Sequence, residues 1–153
     1  MIRKNSNKGM TLIELLLVIS ILALSLTIVI PHIERRDYNL MTSSRMLRDD
    51  IRNVRYIRMT EGKNYSISLE GVQYTIKEGV KVVKRVKLEK DFKITHNFTG
   101  GNISFNHNGS PSYGGTITIF DNKKNNYCEI TIVPATGRIL LINEIFKGYI
   151  KDK

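Results

Sequence analysis

Only one cysteine, Cys128, occurs in the 153 residues, and tryptophan is absent. A single thiol excludes an intrachain disulfide, so stability outside the cell would rest on an apolar core alone. No low-complexity tract and no internal repeat breaks the chain. Catalytic groupings are missing as well. His32, His96 and His107 have no i,i+4 spacing and no neighbouring cysteine or paired acids, which argues against a metal site. No glycine-rich loop ends in Lys-Ser or Lys-Thr, so a nucleotide cradle has no support. Asp49 and Asp50 are adjacent on a helical stretch and diverge, which makes paired acid/base work improbable. Cys128, in a strand-like stretch, reads as a small packing residue. These absences point away from an enzyme, and no cofactor is implied.

What the chain does have is charge of one sign and one long apolar run. The formal net charge is +10. Such a balance favours anionic surfaces, whether nucleic acid, teichoic-type polymers or lipid headgroups, without choosing among them. The apolar run is Met10 to Ile30, preceded by a basic leader ending in Lys8-Gly9 and followed by Pro31. About 21 helical residues at ~1.5 Å each span about 30 Å, the hydrocarbon thickness of a bilayer. A secretory signal peptide would have a shorter run with a small-residue cleavage site after it. Here the polar, bulky Pro31-His32-Ile33-Glu34-Arg35-Arg36 follows the run, and the small Gly9 precedes it.

Glu14 is the single charge inside the run. An ionised carboxylate there costs roughly 2.5–3.5 kcal/mol on insertion scales. No Lys, Arg or His lies within the run, so a partner would come from elsewhere. Cutting after Gly9 would create an amine at Met10, on this chain or on a neighbouring copy. The alternative is that Glu14 reaches headgroups at the interface.

Lys8-Gly9-Met10-Thr11-Leu12-Ile13-Glu14-Leu15 resembles the processing site of type IV prepilins and pseudopilins. That family shows a basic leader ending in Gly, a hydrophobic first mature residue, often Thr next, and Glu as the fifth mature residue. Met10 stands where Phe is commonest, and Pro31 matches the family's helix-kinking proline. The resemblance covers about the first fifth of the chain. It implies cleavage after Gly9 by a prepilin peptidase, N-methylation of Met10, and assembly through packed N-terminal helices. Thr11, Glu14 and Pro31 become assembly residues, with Glu14 compensating the amine of an adjacent subunit. It also implies a single-pass precursor with a cytoplasmic N-terminus and an extracytoplasmic head. The partners would be membrane lipid, an assembly platform protein and other pilin-type subunits.

Past Pro31 the chain reads as a helix, then strands. Ile33, Leu40, Leu47 and Val54 recur every seven residues, with Met41, Ile51 and Ile57 on the same side. The other face carries Arg35, Arg36, Asp37, Arg45, Arg48, Asp49, Arg52 and Arg55. The helix should end near Glu61-Gly62. Period two then takes over in Tyr65/Ile67/Leu69, Val72/Tyr74/Ile76 and Val80/Val82/Val86/Leu88. In the last of these, Lys81, Arg85 and Lys87 take the opposite face. Further strands are expected at Ile103–Phe105, Thr116–Phe120, Tyr127–Val133 and Arg138–Ile142, separated by turn signals. Glu144 to Lys153 should be a short edge strand or a helical tail.

The prediction is an α+β protein. A long helix kinked near Pro31 packs its second half on an antiparallel β-sheet head. The segments are a leader (1–9), a transmembrane or filament-core helix (10–30), an amphipathic helix half (31–62) and a β-rich head (63–153). Ile103-Ser104-Phe105-Asn106, Asn108-Gly109, Gly115-Thr116 and Thr136-Gly137-Arg138 are similar to the head of GspH/FimT-type minor pseudopilins. That resemblance implies a minor, tip- or initiation-associated structural subunit.

The basic run Lys81, Lys84, Arg85 and Lys87, with Lys90 and Lys93 beyond, is a candidate polyanion contact. DNA binding needs such a stripe to meet phosphates. A solvated lysine face guarding a sheet edge explains the run equally well. A tip-located DNA-binding or competence pilin, and a membrane-anchored domain that never polymerises, are the competing functional readings.

Overall fold

The structure is a computed structural model that describes residues 11–29 and 35–148. The chain divides into two units, Met1–Arg35 and Arg36–Lys153. In the first, α1 runs Leu12–Val29. Leucines and isoleucines dominate it, and Ser20 and Ser25 return their hydroxyls to the carbonyls of Leu16 and Ile21. That back-bonding satisfies both hydroxyls within the helix. Its described side chains, Leu12 to Leu24 among them, stand exposed in the isolated chain. At 18 residues α1 is about 27 Å long. Among the described residues no helix is long and apolar enough to cross a membrane. The apolar run in the sequence extends past α1 at both ends, to Met10 and Ile30. Pro31, and with it the expected kink, lies outside the described residues.

Helix α2 runs Arg35–Thr60, all but its first residue in the second unit, and ends just before Gly62, whose φ of +69° suits a left-handed helix stop. Leu40, Ser44, Leu47, Ile51 and Val54 form its buried stripe, spaced four and three residues apart. The expected heptad positions Leu40, Leu47 and Val54 are all on it; Ile33 lies outside the described residues. Each fully buried Leu or Ile contributes roughly 1.5–3 kcal/mol of transfer free energy.

Among the described residues nine strands follow, all paired antiparallel: β1 Tyr65–Leu69, β2 Gln73–Glu78, β3 Lys81–Lys87, β4 Phe92–His96, β5 Asn102–Ser104, β6 Gly115–Asp121, β7 Asn126–Ile132, β8 Ile139–Leu141 and β9 Phe146–Lys147. They make two sheets. Sheet A has the order β3-β2-β1-β5, and sheet B the order β4-β6-β7-β8, with β9 also on β7. The α2 stripe, Ile67, Tyr74 and Ile103 of sheet A, and Ile94, Ile117, Ile119, Ile130 and Ile132 of sheet B join in one core. Cys128 lies opposite Ile119, fully buried in that core, and burial pushes its thiol pKa up.

Two strand expectations change. β4 is an added strand: Phe92 and Ile94 point into the core and alternate with the exposed Lys93. The turn before it uses Asp91 at φ +75° rather than a glycine, so no turn residue marked it. In β3 the expected alternation breaks. The register slips between Ile76 and Lys77, leaving Val83 without a cross-strand partner. A bulge of this kind puts Val82 and Val86 on opposite faces. Val80 lies in the turn, 99% exposed.

Candidate functional site

At the N-terminal segment, Gly9, Met10 and Pro31 lie outside the described residues, while Thr11 and Glu14 are in view. Thr11 precedes the first turn of α1. Its backbone N–H donates to Glu14 Oε2 at 2.7 Å and its hydroxyl donates to the same oxygen at 3.0 Å. Glu14 N–H donates back to Thr11 Oγ1 at 3.3 Å. This is a reciprocal capping box, which satisfies two otherwise unpaired donors at the helix start. Glu14 therefore has a local partner that the charge argument overlooked. The Thr-x-x-Glu spacing before an apolar run was the available signal.

The basic run does not act as one face. Lys84 Nζ donates to both oxygens of Asp50 on α2, at 2.8 and 2.7 Å. The buried Tyr74 hydroxyl donates to the same carboxylate at 2.6 Å. Burial, then the Asp50 hydrogen bond, pushes the Tyr74 phenol well above its ordinary range. Lys84 is thus a strut between β3 and the helix. Arg85 and Lys87 lie opposite Thr75 and Gln73, on the face turned away from Tyr74 and Ile76. Lys81 lies beyond the bulge, opposite Glu78.

Arg35 and Arg45 of α2 are exposed as expected, but other arginines of the helix reach into the head. Arg36 donates from Nε and Nη2 to the two oxygens of Asp121, at 2.6 and 2.7 Å, and its guanidinium lies 5.4 Å from the Phe92 ring centroid. Asp121 is fully buried at the end of β6. Burial alone would raise its pKa, but Arg36 and the Lys123 and Lys124 backbone N–H groups outweigh that and hold it below the ordinary carboxylate value. Near the other end of α2, Arg52 donates to the Ile139 carbonyl at 3.1 Å. Arg55 donates to the carbonyls of Gly109 at 2.9 Å and Thr136 at 3.1 Å.

Arg55 thus clamps two turns together. In the first, Asn106 Oδ1 accepts the N–H groups of Asn108 and Ser110, and Gly109 takes a φ of +76°. In the second, Gly137 takes a φ of +63°, and a Cβ there would be driven into the Gly109 carbonyl oxygen. Both glycines are therefore required by conformation and by close approach. These turns are the Asn108-Gly109 and Thr136-Gly137-Arg138 segments singled out in the sequence. The role of Arg55 was not visible there, because its partners are distant backbone carbonyls.

Among the described residues no group of three His, Cys, Asp or Glu side chains comes together to hold a metal. A shallow depression of about 360 Å³ between Lys90, Asp91, Asn122 and Lys123 has no grouping for covalent chemistry.

The family described as the prokaryotic N-terminal methylation motif matches residues 4–30. No curated protein matches the chain in sequence. In structure the chain is similar to the type IV minor pilin FimU of Pseudomonas aeruginosa, with a TM-score of 0.59 and 16% identity over 69% of this chain and 90% of that one. A second crystal form of FimU gives a TM-score of 0.56 at 17% identity, over 67% of this chain and 92% of that one. The minor pseudopilin EpsH from the Type 2 Secretion System of Vibrio cholerae gives 0.56 at 10% identity, covering 68% of this chain and 96% of that one. The chain carries a prokaryotic N-terminal methylation motif, and it has the α+β fold of minor pilins and minor pseudopilins.

Proposed function

We propose that this chain is a structural minor subunit of a type IV pilus-like or type II secretion-like filament. A prepilin peptidase cuts it after Gly9, Met10 is N-methylated, and the helix beginning at Thr11 packs among those of other pilin-type subunits. Before assembly the chain is held in the cytoplasmic membrane, with its N-terminus inside and its head outside, and an assembly platform protein feeds it into the filament. The work is mechanical and involves no covalent chemistry by this chain.

The observation that carries the reading is a helix of apolar residues that find no cover within their own unit, opened by Thr11 and Glu14 at the motif's spacing. Such a surface needs lipid or other helices around it. In that setting the Glu14 carboxylate offers oxygen lone pairs beyond those the Thr11 cap uses, and the amine of an adjacent subunit's Met10 is the partner it takes.

Mass spectrometry of the membrane or filament fraction tests this. The mature chain should begin at Met10 with the mass of one added methyl group. Gly9→Val, which places a branched side chain at the cut, should leave the precursor intact. A mature chain starting at any other residue overturns the reading.

A further inference from the structure

Sheet A keeps one side on the core and turns the other outward. Cross-strand register sets two rows on the outer side. One runs Ser68, Thr75, Arg85, with Thr75 itself buried beneath its neighbours; the next runs Ser104, Ser66, Lys77. Lys87 follows two residues along β3 from Arg85. The face therefore combines hydroxyl groups with three cations. The acid bordering it is Glu70, which accepts from Gln73 and Thr75. Lys84, by contrast, is held by Asp50 on the core side.

The three cations follow one another in order across the face. Arg85 and Lys87 are two residues apart on one strand, about 6.6 Å. Lys77 lies diagonally across from Arg85, beyond the bulge, where a regular ladder would set about 7–8 Å. A glycerol phosphate repeat has six backbone bonds, twice the three of a peptide residue that spans ~3.3–3.6 Å, and so extends about 7 Å. Successive phosphates of such a chain match successive cations of the track. Single-stranded nucleic acid has a similar backbone, but it is held through aromatic platforms on which bases stack. Serine, threonine, lysine, arginine, asparagine, glutamine and valine make up this face, with no aromatic residue.

We propose that the outer face of sheet A binds a phosphodiester-linked polyol chain. Lys77, Arg85 and Lys87 meet successive phosphates, and the Ser66 and Ser68 hydroxyls meet the hydroxyls between them.

The test uses the full chain in detergent with an uncharged headgroup, titrated with a synthetic glycerol phosphate polymer. Single-stranded DNA with the same number of phosphates runs in parallel. The triple variant Lys77→Gln/Arg85→Gln/Lys87→Gln should weaken polymer binding at least about tenfold and flatten its salt dependence. A control with the same charge change elsewhere, Lys81→Gln/Lys90→Gln/Lys123→Gln, should change it less than about twofold. Ser66→Ala/Ser68→Ala should weaken the polymer and leave DNA unchanged. Circular dichroism matching the parent confirms that each variant is folded. Absence of polymer binding, equal losses in the two triple variants, or DNA binding as tightly with no effect of the serine pair would each overturn the proposal.

Discussion

The two helices of this chain solve opposite problems. α1 is apolar on all sides, and its described side chains are exposed within its own unit; α2 is amphipathic and buries Leu40, Leu47, Ile51 and Val54 completely or nearly so. The polar groups differ in the same way. The carboxylate of α1 is closed onto Thr11 three residues away. Three arginines of α2, Arg36, Arg52 and Arg55, reach Asp121, Ile139, Gly109 and Thr136, over separations of 54 to 87 residues. Helix α2 is completed by its own domain, whereas in the function proposed above α1 is completed by lipid or by other chains. A helix's surface pattern thus shows whether its partners lie inside or outside the molecule.

This contrast predicts that residues 32–153 fold alone as a soluble monomer with a mixed helix and strand circular dichroism spectrum. Within that head, Arg36→Ala should have the largest effect. It leaves the buried Asp121 carboxylate without its cation, a loss of about 3–5 kcal/mol. Denaturant unfolding reads it, and a loss under about 1 kcal/mol would mean that α2 is not anchored as described. The same pair gives the head an acid sensitivity. The folded Asp121 pKa is depressed, so its stabilisation is fully present above the unfolded value of about 3.9 and disappears as pH falls through the lower folded value. Stability of the parent head should drop steeply below about pH 4, and that of Asp121→Asn should drop less.

Arg55→Ala comes next. It removes two hydrogen bonds from a charged donor, worth about 1.5–3 kcal/mol each in buried settings and less here because the site is partly exposed. We expect a loss of about 2 kcal/mol in head stability, and faster amide exchange confined to the Asn106–Ser110 and Thr136–Arg138 turns. Uniform exchange across the head would refute the clamp. Thr11→Ala should be smallest, about 0.5–2 kcal/mol of local helix stability from the lost cap. Because the cap belongs to α1, the melting of the head should not move. A shifted head transition in that variant would break the contrast between the helices.

The sequence made visible what depends on periodicity and on single marker residues. The α2 stripe at Leu40, Leu47 and Val54, its stop at Gly62 and most strands were legible for that reason. The capping box is legible in the three-residue spacing of Thr11 and Glu14 at the start of the apolar run. Three features were beyond a one-dimensional reading. β4 follows a turn built on Asp91 in a left-handed conformation, which few non-glycine residues adopt. The β3 bulge reverses the facing of the residues beyond it, so alternation drawn straight through Lys81–Lys87 assigned Val82 and Val86 to one face. Arg36 and Arg55 read as solvated charges, because only the closed fold brings Asp121 and the Gly109 and Thr136 carbonyls to them.

The proposed function requires that α1 be completed by neighbouring pilin-type subunits, through the charge on Glu14. Substitution by valine would remove both the helix cap and the charge, whereas Glu14→Gln retains a side-chain oxygen for the Thr11 donors and removes only the charge. The most direct measurement is therefore the share of Glu14→Gln found in sheared filaments, beside the parent at equal expression. The account predicts a variant that is still cut after Gly9 and still membrane-bound, but depleted from filaments at least about tenfold, equivalent to about 1.4 kcal/mol or more per association. Incorporation equal to the parent would contradict it, leaving Glu14 as a helix cap and α1 as an anchor alone.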